Sequence, residues 1–228
     1  MSETNNNALQ PKSASTWQML VALGGISLIS GVLIVLAYET TLPRILMNRQ
    51  RAIEEAVFRV LPGSTSRATY AIEGNAVRLL QDATHTGPKI YAGYDDTGAL
   101  MGIAIEAAGQ GYQDVIRVLY GYAPATECST GFTVIESKET PGLGDKIGLD
   151  PRFLANFQGL ELRLDESQRS LKNAIVAVKQ NSKSNPWEID GISGATVSSK
   201  AVARIVNDSA QEILPIIRQH LRQIETQQ

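Results

Sequence analysis

Thiol and imidazole chemistry is almost missing from this chain. Cys128 is the one cysteine, and His85 and His220 are the two histidines. A lone thiol cannot close an internal disulfide, ligate an iron–sulfur cluster or complete a zinc finger. Cys-x-x-Cys-His is absent, so covalent haem is excluded too. Any redox chemistry must come from an organic cofactor or a partner. Packing or a solvated surface is the expectation for Cys128 and both histidines. The net charge is only -2 and the basic residues are scattered, so there is no footprint for nucleic acid. Gly-x-x-x-x-Gly-Lys-Ser/Thr does not occur, which removes the P-loop. Gly-x-Ser-x-Gly does not occur either, and neither histidine stands at a telling spacing from a nucleophile. With 43% hydrophobic and 19% charged residues, a folded core is expected and wholesale disorder is not.

Charge is also missing from one long stretch. Residues 1–16 are polar and read as a tail. From Trp17 to Tyr38 no charged side chain occurs. That run is long enough to span a bilayer as a helix, with an aromatic residue at each interface. A cleaved signal peptide should have a shorter apolar region and more positive charge than Lys12 provides. The reading is a retained anchor in contact with the lipid bilayer. Ser27 and Gly31, with Gly24 and Gly25 a turn earlier, form a small-residue face on which another membrane helix could pack. Lys12 precedes the span and Arg44, Arg49 and Arg51 follow it. Taken literally, these charges put the C-terminal part in the cytoplasm, but long domains translocate largely regardless of them.

After Pro43, apolar residues at three- and four-residue spacing predict a stalk helix over 39–63, ended by Pro62-Gly63. Residues 64–228 then form the main domain. Strands are expected at 90–94, 100–107, 115–122, 131–136 and 174–178, with a hairpin turn at 95–98. A short helix is expected at 153–157 and a polar loop at 180–186. A long amphipathic helix runs from Thr196 to about Gln223, with Pro215 expected to kink or interrupt it. Strands gathered between helices argue for an α+β fold with a mostly antiparallel sheet.

Two glycine loops stand out. Asp190-Gly191-Ile192-Ser193-Gly194-Ala195-Thr196 runs directly into the last helix. A helix start offers free N–H groups and a positive dipole end, which suit a phosphate. Thr196 could meet that phosphate, and Lys200 follows one turn later on the same face. The simpler alternative makes Ser193 or Thr196 an N-cap and the glycines mere turn formers. Glu139-Thr140-Pro141-Gly142-Leu143-Gly144 follows a strand and makes a tight turn. Gly142 and Gly144 begin a dinucleotide fingerprint, but Ile147 stands where its third glycine belongs, so the Rossmann reading fails on spacing.

Taken with the single anchor, these two loops resemble the G subunits of Rnf/Rsx electron transport complexes, which carry an FMN-binding domain. That domain is similar to the C subunit of the sodium-pumping NADH:quinone oxidoreductase. The resemblance covers nearly the whole chain, and neither motif departs from the family pattern. It implies that Thr196 carries FMN through a phosphoester bond. Ser193, Gly194, Ala195 and Lys200 would surround that attachment, and Glu139, Thr140, Leu143 and Gly144 would lie near the flavin. It further implies a flavin transferase that supplies FMN from FAD outside the cytoplasm. The protein would then be a single-pass inner-membrane protein with a periplasmic domain. It would relay electrons among other subunits of an ion-translocating complex that exchanges electrons between NADH and ferredoxin. The alternatives are the quinone-reductase homologue, a cofactor-free anchored scaffold, and a soluble-domain enzyme using a non-covalent nucleotide.

Overall fold

The computed structural model describes residues 15–80 and 87–226. Most of the expected tail, Lys12 and His85 lie outside the described residues. The chain divides into two compact units, at Asn48 and Arg49.

The first unit is helical. Helix α1 spans Thr16–Val60 and passes through Pro43 without a break. The expected membrane span and stalk helix are therefore one element. Proline removes a single ladder bond, and the Thr40 and Thr41 hydroxyls bond back to the carbonyls of Leu36 and Ala37 just before it. The apolar side chains from Trp17 to Tyr38 are exposed, and the helix is long and apolar enough to cross a membrane. Such a helix fits single-pass membrane anchoring.

The second unit is built on a six-stranded antiparallel sheet. Its strands are β1 (Ser66–Glu73), β2 (Ala76–Leu79), β3 (Lys89–Tyr94), β4 (Leu100–Gln110), β5 (Val115–Ala123) and β6 (Cys128–Glu136), in the order β2-β1-β3-β4-β5-β6. Strands β1 and β2 were not expected. The pairing of Glu73 with Ala76 leaves Gly74-Asn75 as a two-residue hairpin turn, and Gly74 has φ +61.

Both faces of the sheet are covered. Ile90, Ala92, Ile103, Ile105, Ile116, Val118 and Tyr120 face the long helix α3 (Thr196–Thr226), which contributes Ala201, Val202, Ile205, Val206, Ile213 and Ile217. Tyr91, Ala104 and Leu119 alternate to the other face, where Ile53, Ala56, Val57 and Val60 of α1 and Leu61 cover them. That second layer rests on glycine. A Cβ on Gly121 would stand 2.4 Å from the Val60 carbonyl oxygen, and one on Gly93 would stand 2.8 Å from a Leu61 methyl. The Thr130 hydroxyl donates to the Val60 carbonyl at 2.6 Å.

Helix α3 also runs on past its proline, so Pro215 does not interrupt it. The carbonyl that Pro215 leaves unpaired belongs to Gln211, which is exposed and can be hydrated. Helix α2 covers Pro151–Ala155, and the Asp150 side chain caps it by accepting from the Arg152 N–H at 2.9 Å. A small parallel pair completes the fold: β7 (Val176–Val178) and β8 (Glu188–Asp190). The whole is an α+β arrangement, as the residue pattern predicts.

Candidate functional site

The two glycine loops use the same local device. Thr140-Pro141-Gly142-Leu143 is a β-turn closed by the Leu143 N–H donating to the Thr140 carbonyl at 3.1 Å, and Gly142 has φ +76. Ile192-Ser193-Gly194-Ala195 is closed by the Ala195 N–H donating to the Ile192 carbonyl at 3.0 Å, and Gly194 has φ +85. The third position of such a turn needs positive φ, which glycine adopts without steric cost.

Strand β8 aims the second turn. Asn156, a buried side chain, pairs with the Asp190 backbone as a neighbouring strand would. It accepts from the Asp190 N–H at 2.9 Å and donates to the Asp190 carbonyl at 3.2 Å. The Asp190 carboxylate accepts from the N–H groups of Ser182 and Lys183 at 2.9 and 3.0 Å. Beside it, the Ser184 N–H, the Asn185 side chain and the Asn185 N–H hold the Glu188 carboxylate down at about 2. Gly191 donates to the Val178 carbonyl at 3.0 Å, and a Cβ there would stand 2.8 Å from that oxygen. The polar loop over 180–186 is thus stitched to the strand that leads into Thr196.

Thr196 is the first residue of α3 and is exposed. Neither Ser193 nor Thr196 acts as an N-cap. Ser199 works from inside the helix instead: the Ile192 N–H donates to its hydroxyl at 3.0 Å, and that hydroxyl donates to the Ala195 carbonyl at 2.9 Å. Among the described residues, no protein acceptor takes the N–H groups of Thr196, Val197 and Ser198. Lys200 is exposed one turn on, with no carboxylate partner among the described residues. A helix end with free N–H groups and a cation nearby is a site for an anion.

The loops meet at Glu139. This carboxylate is only 5% exposed. It accepts from the N–H groups of Tyr112 and Gln113 at 2.8 and 3.0 Å and from the Ser198 hydroxyl. The Thr140 hydroxyl donates to the Gln113 side chain at 3.1 Å. Gly144 is buried against Glu139 and Ser198, while Leu143 is half exposed. Tyr112 and Val197 are also exposed apolar groups, each adjoining a residue of this junction. Of the expected residues, Glu139, Thr140, Gly144 and the Thr196 turn are thereby brought together, with Ser193, Gly194 and Lys200 open to solvent and Ala195 buried beneath them. Sequence reasoning missed Tyr112, Gln113, Ser198, Ser199 and Asn156. The glycines at 109 and 111 flanking Gln110 are a signal for the first two. Buried serines and an asparagine give none.

The outward residues of the site, Ser193, Gly194, Thr196 and Lys200, are exposed. A cavity of about 520 Å³ lies elsewhere, among Ser66, Arg67, Leu79, Tyr94 and Asp96, and contains no residue of either motif. A cleft of about 40 Å³ adjoins the Asp190–Ile192 strand end.

Residues 111–211 match the family model described as FMN-binding domain. The chain is 27% identical over 201 residues to the G subunit of the ion-translocating oxidoreductase complex of Methanosarcina acetivorans, covering 86% of this chain and 93% of that one. It is 35% identical over 124 residues to the G subunit of the Na(+)-translocating ferredoxin:NAD(+) oxidoreductase complex of Acetobacterium woodii, covering 54% of each. The crystal structure of Shewanella oneidensis NqrC shares the fold at a TM-score of 0.54 and 18% identity, over 76% of this chain and 88% of that one. The segment 111–211, within the α+β unit, thus matches the FMN-binding domain family. The relatives that match most of its length are G subunits of ion-translocating oxidoreductase complexes.

Proposed function

We propose that this protein is a membrane-anchored electron carrier whose FMN is esterified through its phosphate to Thr196. The observation that carries the reading is the first turn of α3: an exposed Thr196 hydroxyl at a helix end whose N–H groups have no protein acceptor among the described residues, with Lys200 one turn away.

The residues fit such a group at both ends. The helix end contributes roughly 0.3–1 kcal/mol toward a negative charge at an exposed site. Ser193, Gly194 and Ala195 give a narrow approach to Thr196, since the Gly194 turn projects no side chain. Leu143, Tyr112 and Val197 offer exposed apolar surface for the flat ring. Thr140 and Gly144 shape the loop that presents Leu143. A cradle of exposed residues provides little enclosing surface for reversible binding, and a covalent bond removes the need for it. A flavin transferase would use the Thr196 hydroxyl to displace AMP from FAD, leaving FMN on the oxygen.

When bound, the flavin supplies electron transfer in single or paired steps. The chain's own part is to hold and orient it. The dinucleotide fingerprint fails at Ile147, which supports a carrier passing electrons between this flavin and cofactors of other subunits. The sequence relatives are G subunits, which favours an ion-translocating complex working between NADH and ferredoxin over a quinone reductase. The transferase implies a periplasmic domain on an inner-membrane anchor.

The test is in-gel flavin fluorescence after denaturation of chain expressed with the transferase. A fluorescent band is expected for the native sequence and a dark band for Thr196→Ala. A dark native band sinks the reading, and a bright Thr196→Ala band sinks the attachment residue.

A further inference from the structure

Glu139 lies beneath the cradle rather than on its surface. Both of its carboxylate oxygens are engaged by the protein. One takes the N–H groups of Tyr112 and Gln113, and the other takes the Ser198 hydroxyl, itself only 3% exposed. Two glycines wall the group in. A Cβ on Gly111 would stand 2.5 Å from the first oxygen, and a Cβ on Gly144 would stand 2.5 Å from the second. A buried carboxylate is costly without donors and strongly held with them. Here three donors converge from two segments far apart in sequence.

We propose that Glu139 is a positioning residue that sets the orientation of Thr196 through Ser198. The proposal rests on the reading that Thr196 carries the flavin. Ser198 follows Thr196 by two positions, which turns the two side chains to nearly opposite sides of the helix. Ser198 is buried and Thr196 is exposed, as that geometry requires. Anchoring the inward side of the turn therefore fixes the direction of the outward hydroxyl. No side chain caps this helix end, so the Glu139 bridge sets its register from one side and Ser199 sets it from the other. The same carboxylate places the Tyr112 turn, so both walls of the cradle are set by one group.

The experiment uses the full chain in membranes, expressed with the transferase. It reads the rate of covalent flavin loading, the flavin midpoint potential and the melting temperature. Misplacing a reacting group costs rate steeply, so Ser198→Ala is expected to load roughly tenfold or more slowly while still folding. Glu139→Gln keeps an acceptor for the two N–H groups and removes a negative charge, so it should load slowly and raise the potential. The double variant should load no more slowly than the slower single, because both changes break one bridge. Wild-type loading and potential in both singles overturn the inference, as do additive losses in the double. If Ser198→Ala fails to accumulate, Glu139→Gln decides alone: slow loading with a raised potential supports the bridge, and wild-type behaviour overturns it. A dark band from the native chain is a different failure, that of the flavin reading.

Discussion

Replacing Gly144 with alanine drives a methyl group into the junction of the two loops. The new Cβ would stand 2.5 Å from the Glu139 carboxylate and 2.7 Å from the Ser198 hydroxyl. Neither can retreat freely, because Glu139 is held by two backbone N–H groups and Ser198 by its helix. Overpacking of this kind costs about 1–3 kcal/mol. Losing the charge-assisted Ser198–Glu139 bond adds about 1.5–3 kcal/mol. With relief in one term partly offsetting the other, a net loss of about 2–5 kcal/mol is expected. For a unit of this size that lowers the melting temperature by about 4–20 °C. Thermal unfolding followed by circular dichroism on the detergent-solubilised chain reads it. Gly142→Ala is the control. Gly142 has φ +76 and open space where its Cβ would be, so its cost is backbone strain alone, about 1–2 kcal/mol. If Gly142→Ala destabilises more than Gly144→Ala, or if Gly144→Ala melts within about 2 °C of the native chain, the packing argument is refuted.

Two other expectations follow from the fold. Gly121→Ala would press a methyl against the Val60 carbonyl and the Thr130 hydroxyl at 2.4 and 2.1 Å, so the α1 end should lift from the sheet. Faster amide exchange confined to residues near Val60 checks this, and native-like protection there would refute it. The Glu188 carboxylate is lowered from 4.5 to about 2 by the N–H groups of the 184–185 turn. A depressed folded pKa gives stability that is present above pH 4.5 and lost as the pH falls toward 2. Glu188→Gln should therefore flatten the acid limb of the stability curve in that window, and an unchanged limb would remove Glu188 as its cause.

The long apolar helix and the positions of both glycine loops were legible because each has a local cause. An uncharged run of bilayer length has few other uses, and glycine at a positive-φ turn position has little substitute. Strands β3 to β6 of the main sheet, and β7 of the small pair, were legible from β-branched and aromatic runs. The β1–β2 hairpin was not, because Arg67, Glu73 and Arg78 interrupt its two strands, although Gly74-Asn75 is itself a hairpin signal. Proline interrupts neither long helix: its penalty is local, and at Pro43 and Pro215 the surrounding helix continues. Within the site, sequence singled out Glu139 but not its partners. That Ser198 and the Tyr112 N–H meet the same carboxylate depends on β4, β5 and α3 packing together, and no periodicity encodes a contact across 59 residues.

If FMN is bonded to Thr196 as proposed, the exposure of that residue bears on how such a protein is made and lost. A cofactor enclosed by its protein can leave and return, and its occupancy follows the concentration outside. A cofactor bonded at the rim of an open surface follows no such equilibrium. Each chain would be charged once, during maturation, and would stay so until degraded. The fraction of working molecules would then record the supply of flavin and transferase when the chain was synthesised, whatever the cell offered afterwards.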